Sequence, residues 1–188
     1  MVQDLKKSDD GELLRRSREG DLSAFSELVR RYESKVAATV IGMLGPGDEA
    51  DDVGQETFIR FYNSLNRFRE EASVGTYLTR IAINLSLNEL RRRKRRRLLF
   101  RSTDAGNESD EPASEEAPDQ FDRKEIVRRA LDALEPKFRA VVTLRLIEGY
   151  STEETAGLLG VPIGTVLSRL LRAQKKLQKI LQQYKEDL

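Results

Sequence analysis

The chain has 188 residues, enough for one medium domain or two small ones, and its 35% charged against 38% hydrophobic residues favours helices with narrow apolar stripes over a thick β core. Its formal net charge of +1 points to no polyanionic or polycationic partner by itself. It holds neither cysteine nor histidine, which excludes disulfides and removes the residues behind the commonest zinc and nucleophile chemistries.

In chain order, Asp9 or Asp10 is placed to cap a short helix ending at Gly20. Asp21 caps a longer one in which Phe25, Leu28, Val29, Tyr32, Val36, Val40 and Met43 recur at helical spacing, until Gly45-Pro46-Gly47 stops it. A third helix runs from about Asp48 to Leu65, offering Val53, Phe58, Ile59 and either Phe61 or Tyr62 for burial. After 67–73 a fourth begins near Val74, carries Leu78, Ile81, Ala82, Leu85 and Leu90 on one side, and ends in the basic run Arg91–Arg97. From Ser102 to Asp122 there are eight acidic residues, no Lys or Arg, and almost nothing apolar to bury, so an extended or flexible linker is expected. The acidity is confined to that segment, and the rest of the chain carries nine more positive than negative charges.

Beyond it, Ile126, Val127, Ala130, Leu131 and Leu134 mark an amphipathic helix, and another starting at Pro136 carries Phe138, Val141, Val142 and Leu146. The stretch Ser151 to Arg172 then reads as a helix-turn-helix. Ser151 with Glu154 three residues on is a capping box, Ala156 is small where two helices cross, and Gly160 suits a left-handed turn. Pro162 stands where the second helix begins, and Val166, ten residues after Ala156, falls on its inner face. Thr165, Ser168, Arg169 and Arg172 project outward, offering hydroxyls and guanidiniums to DNA phosphates and base edges. No alternating strand pattern occurs. The expected fold is all-α: two small helical domains, over 1–98 and 122–188, joined by a flexible acidic linker at 99–121.

No Gly-rich phosphate loop, metal set or nucleophile–base pair can be assembled, so neither an enzyme nor a cofactor is expected. The opening MVQDLKKSDDGELL lacks an apolar signal region and no apolar run approaches spanning length, which points to a cytoplasmic location without membrane insertion.

In the first region GDLSAFSELVRRY, DEADDVGQETFIRFY and YLTRIAINLSLNELRRRKRR follow in order. In the second comes ALEPKFRAVVTLRLIEGYSTEETAGLLGVPIGTVLSRLLRA. Together they resemble the two conserved domains of bacterial RNA polymerase sigma factors of the extracytoplasmic-function type, over about 20–97 and 130–181. The resemblance implies a chain that binds core RNA polymerase, recognises two promoter hexamers and assists DNA opening, held in check by an anti-sigma factor. It implies that Asp52, Gln55 and Glu56, matching the family's D-x-x-Q-E pattern on one helix face, meet the clamp helices of the largest catalytic subunit. It places the loop 67–75 at an unpaired base of the minus-ten element, with Phe68 and Ser73 suited to enclosing it, Arg80 and Asn84 near the strand, and Arg91 and Arg92 near phosphates. Tyr77, where relatives usually carry Trp, is expected to pack in the core. Thr165, Ser168, Arg169 and Arg172 would read the minus-thirty-five element.

Two departures stand out. Leu167 replaces the basic residue common in the family's GTVKSR motif and Leu171 is apolar beside it, so either thymine methyls are read or base reading falls to Arg169 and Arg172. Glu135-Pro136 inverts the more usual order. A conventional helix-turn-helix regulator acting without polymerase would explain Ser151–Arg172 but not DEADDVGQETF, and a third reading is a helical interaction protein without DNA activity.

Overall fold

The structure, a computed structural model, describes residues 5–69, 71–103 and 123–183. The acidic linker expected at 99–121 lies outside the described residues from 104 onward. Asp9 accepts the Glu12 amide at 2.8 Å and opens α1 (Asp10–Arg18). Asp21 accepts the amides of Ser23 and Ala24 and opens α2 (Leu22–Leu44). Gly45, at φ 77, ends α2, and α3 (Asp48–Ser64) follows with Asp48, Glu49 and Asp51 in its first turn, where free amides favour negative charge. A 3₁₀ turn, Leu65–Arg67, leads to α4 (Val74–Thr103), which stays helical five residues past the expected boundary at 98. The second half holds α5 (Arg123–Asp132), α6 (Pro136–Val142), α7 (Thr152–Leu159) and α8 (Ile163–Gln183). Every regular element among the described residues is helical.

In the first half α2 lies at the centre, packed by α1, α3 and α4. Its buried stripe of Leu28, Val36, Val40 and Met43 meets Leu13, Leu14, Phe61, Leu78, Ala82 and Ile83. Between the two aromatic candidates on α3 the structure chooses Phe61, fully buried, over Tyr62, which is 41% exposed. The Phe61 ring stands 6.0 Å from each of Phe25, Phe68 and Tyr77, and burying such a side chain is worth about 1.5–3 kcal/mol. Ile59, expected inside, is exposed, because it falls on the face of α3 opposite Phe61.

Among the described residues the second half has two small clusters of its own, Leu134–Phe138–Val142–Ala173 and Val141–Ala156–Val166. Val127, expected inside, is exposed, as is Leu146 at 54%. The cause for Leu146 is visible in the backbone. After Val142 the helix widens into one π-turn, Thr143–Ile147, closed by the Glu148 amide on the Thr143 carbonyl at 2.9 Å. The extra residue per turn shifts the helical phase, so Thr143 and Leu144 turn inward instead.

Ala140, Leu144, Tyr150 and Leu158 are buried in the first half's core rather than their own. The joint is built on the C-terminus of α2. A helix leaves its last four carbonyls without intrahelical partners, and each of these four is met. Ile41 receives the Gly45 amide at 2.9 Å, and Leu44 receives Arg93 of α4 at 3.2 Å. The other two are served by the second half: Thr143 donates to the Gly42 carbonyl at 3.2 Å and Arg139 to that of Met43 at 2.8 Å. Arg139, only 6% exposed, also pairs with Asp132 at 2.9 Å, and its burial depresses its pKa while Asp132 opposes that shift. Further along, Thr79 and Tyr150 share a buried hydrogen bond of 3.0 Å, and Lys35 lies 4.8 Å above the Tyr150 ring and 3.7 Å from Glu148. Glu148 is pushed up from its ordinary value by burial, with Lys35 pulling the other way.

Candidate nucleic-acid interface

The helix-turn-helix forms as its residues dictate. Ser151 Oγ accepts the Glu154 amide at 3.1 Å while Glu154 Oε2 accepts the Ser151 amide at 2.7 Å, completing the capping box. Gly160 adopts φ 62 and ψ 38, a left-handed conformation a side chain would make costly, and its amide closes on the Ala156 carbonyl. Pro162 precedes the first turn of α8, its carbonyl taking the amides of Thr165 and Val166 at 2.9 and 3.2 Å. The chain turns by 103° between α7 and α8, within the range of DNA-binding helix pairs. Val166 and Ala173 are buried beneath α8, with Leu170 and Leu177 partly so. Ser168 and Arg172 are exposed, Thr165 and Arg169 half-buried at the edge. Neither Arg169 nor Arg172 is paired with a carboxylate among the described residues, leaving both guanidiniums available to an anion. Leu167 and Leu171 are exposed with Ile163, a short apolar strip along one flank of the same helix.

In the first half, Asp52, Gln55 and Glu56 occupy one face of α3. Asp52 and Gln55 are exposed, and Glu56 makes a surface pair with Arg60 at 2.7 Å, a contact worth little and easily exchanged. The loop before α4 differs from expectation. Phe68 is 7% exposed, its ring 4.8 Å from Tyr77 and 6.0 Å from Phe61. Arg18 holds the backbone here by donating to the carbonyls of Leu65 and Phe68 at 3.0 and 2.7 Å. Phe68, expected to enclose a base, thus lies buried in this structure with its ring in the aromatic cluster. Tyr77 joins the same cluster. Ser73 is exposed but its hydroxyl caps α4, accepting the Thr76 amide at 3.1 Å. Gly75 serves packing rather than loop freedom, since a Cβ there would stand 3.0 Å from the Tyr32 ring.

Arg80 and Asn84 are exposed one turn apart on α4, and Arg80 donates across the joint to the Gly157 carbonyl at 3.4 Å. Within the basic run, partners divide the residues. Arg93 and Arg96 bind Glu49, holding its carboxyl below the usual range, Arg96 contributing most. Arg92 pairs with Glu89 at 2.9 Å, and Arg91 donates to Asn88 at 3.1 Å. Lys94, Arg95 and Arg97 carry no such partner among the described residues, so the most available cations of the run are ones the sequence did not separate from their neighbours. Sequence reasoning also passed over Arg139, Thr143 and Tyr150. Among the described residues no single helix is long and apolar enough to cross a membrane.

Residues 28–96 match the sigma-70 region 2 family and residues 124–177 the sigma-70 region 4 family. The RNA polymerase sigma-H factor of Pseudomonas aeruginosa is 33% identical over 188 residues, covering 95% of this chain and 96% of that protein. The ECF RNA polymerase sigma-E factor of Escherichia coli K12 is 35% identical over 180 residues, covering 90% and 93%. Among solved structures, CnrH in complex with the cytosolic domain of CnrY aligns with a TM-score of 0.66 and 26% identity, covering 92% of this chain and 97% of that one. The Bartonella quintana sigma factor RpoE in complex with the anti-sigma factor NepR aligns with a TM-score of 0.65 and 25% identity, covering 84% and 96%.

Proposed function

The chain belongs to the extracytoplasmic-function sigma factors of bacterial RNA polymerase, and from that premise we propose that it binds core polymerase, directs it to specific promoters and assists DNA opening there, with no catalytic step of its own. What carries the reading is the conjunction of both family regions, in order, with a helix-turn-helix whose Arg169 and Arg172 have no carboxylate partner among the described residues. The working units are 1–98 and 122–188, acting in the cytoplasm.

Asp52, Gln55 and Glu56 form the polymerase contact, supported by the exposure of Asp52 and Gln55 on the face of α3 that Glu56 shares. Ser73, Arg80 and Asn84 line the minus-ten strand, and Arg91 and Arg92 together with Lys94, Arg95 and Arg97 supply phosphate contacts, which give affinity and salt dependence rather than sequence choice. Thr165, Ser168, Arg169 and Arg172 face the minus-thirty-five major groove. Leu167 and Leu171, exposed beside them, favour thymine methyls as additional targets. Because the Bartonella relative was solved with an anti-sigma factor, an inhibitory protein partner is proposed here too.

A regulator acting without polymerase would share α7 and α8 but has no use for the Asp52 face. The test is capture of core polymerase by the purified chain, followed by run-off transcription from a promoter recovered by sequencing DNA bound in cells. Asp52→Arg with Gln55→Ala should reduce capture at least tenfold while leaving thermal unfolding unchanged, as both side chains are exposed. Promoter binding without any polymerase capture would establish the regulator instead.

A further inference from the structure

Burial along α8 decides which of its residues a DNA groove would meet first. Val166, Leu170, Ala173 and Leu177 form the seam packed on the rest of the second half. The opposite crest, at spacings of three and four, is Gly164, Leu167, Ser168, Leu171, Arg172 and Lys175, all exposed. Thr165 and Arg169 stand on the flank, half-buried. The N-terminal part of such a second helix contacts base edges. Gly164, Leu167, Ser168 and Leu171 are therefore placed for base pairs, and Thr165 and Arg169 for phosphates at the groove wall.

That crest has little to offer a base in hydrogen bonds. Leu167 and Leu171 are 53% and 55% exposed. The Ser168 hydroxyl donates to the Thr165 carbonyl of its own helix at 3.1 Å, so its proton is already committed. Gly164 brings no side chain, and nothing in the fold requires a glycine there: its φ is not positive, and a Cβ would meet nothing within 4 Å. Alanine is the better helix former. The use left for a bare backbone at this point is close approach to a surface outside the chain. In the major groove the apolar group on offer is the C5 methyl of thymine.

We infer that α8 selects thymines by their methyl groups through Leu167 and Leu171, with Gly164 letting the helix approach the groove floor closely enough for that contact. The inference rests on the sigma-factor reading and deepens it by naming a base class for the minus-thirty-five element. Side chains at i and i+4 stand about 5–6 Å apart, against about 3.4 Å per base pair. Two T·A pairs one or two steps apart therefore belong to the element. The contact is uncharged, so thymine selectivity holds as salt rises while total affinity falls.

The test exchanges thymine for uracil in the DNA, which removes the methyl and keeps the pairing. Each thymine of the minus-thirty-five element in a promoter recovered from cells is changed singly, and binding by the chain with core polymerase is followed by fluorescence anisotropy at fixed salt. Loss of one buried methyl should weaken binding about fourfold at each of two thymines one or two steps apart. In Leu167→Ala with Leu171→Ala the same exchange should change binding by less than about 1.5-fold, as a double-mutant cycle requires of a direct contact. Gly164→Ala should weaken promoter binding about fivefold by crowding the groove, without lowering thermal unfolding. An element lacking two thymines at that spacing, uracil bound as tightly as thymine, or an undiminished uracil effect in the double variant overturns the inference. So does a double variant that keeps promoter affinity but loses an inhibitory protein, which would assign the leucines to that partner. Failure to capture polymerase would overturn the sigma-factor reading instead. The same exchange, read on the chain by itself with duplexes recovered from cells, would still decide the methyl contacts.

Discussion

The two halves reach stability by different routes. The first wraps three helices around α2 and joins them with a five-ring aromatic cluster of Phe25, Phe61, Tyr62, Phe68 and Tyr77. The second has two clusters of three or four buried side chains, and places Ala140, Leu144, Tyr150 and Leu158 in its neighbour's core. Small domains bury a smaller share of their surface and are marginal for it. The lesson is that the DNA-reading half borrows apolar burial from the other, so that its stability depends on the contact between them.

Three perturbations test that asymmetry. The largest effect is expected from Phe61→Ala, which empties the centre of the aromatic cluster and should cost about 3–5 kcal/mol in denaturant unfolding followed by circular dichroism. Because the second half leans on that core, protection of α6–α8 amides in hydrogen exchange should fall too; unchanged protection there would show the halves to be independent. Arg139→Ala acts at the joint itself. It leaves the Met43 carbonyl without its donor and Asp132 without its partner, but Asp132 is 43% exposed and can rehydrate, so a loss of about 2 kcal/mol is expected. Here exchange should quicken in α6–α8 more than in α1, α3 and α4; a uniform change would place Arg139 in a shared core rather than at a separable joint.

The smallest effect concerns acid. The guanidinium of Arg30, with that of Arg31, lowers Glu27 from 4.5 to about 2, and those of Arg128 and Arg129 lower Glu125 equally. A carboxyl depressed by folding stabilises fully above its unfolded value and loses that contribution as pH falls. The window is therefore 4.5 down to about 2 in both halves. Glu27 is the more consequential of the two, because Arg31 also binds Asp10 and the carbonyls of Leu5 and Ser8, tying α2 to the N-terminal segment. Glu27→Gln should flatten the pH dependence of thermal unfolding across that window more than Glu125→Gln; the reverse order would deny the first half its tertiary ion network.

Much of this was legible in the residues. Caps at Asp9, Asp21 and Ser151, stops at Gly45 and Gly160, and the inward Val166 follow from local chemistry, and the structure agrees. Phase along a helix was less so. Phe61 and Tyr62 are adjacent and both aromatic, and only packing against Phe25 and Phe68 separates them. The π-turn that turns Leu146 outward leaves no mark in a period-3.6 reading. Phe68 looked available because the resemblance put its loop at an unpaired base, whereas Arg18, far away in sequence, holds that backbone in place. Least legible was the joint. Arg139 and Thr143 donate to main-chain carbonyls about 100 residues away, and a carbonyl acceptor has no side-chain signature.

The chemistry of those two contacts also sets how the protein responds to ionic strength. Hydrogen bonds to peptide oxygens and buried aliphatic groups are screened little by salt, whereas phosphate binding weakens steeply as counterions accumulate. Added salt should thus loosen a grip on DNA while leaving the contacts at the end of α2 almost untouched. A rise in ionic strength that releases phosphate contacts leaves the packing of the two halves against each other in place.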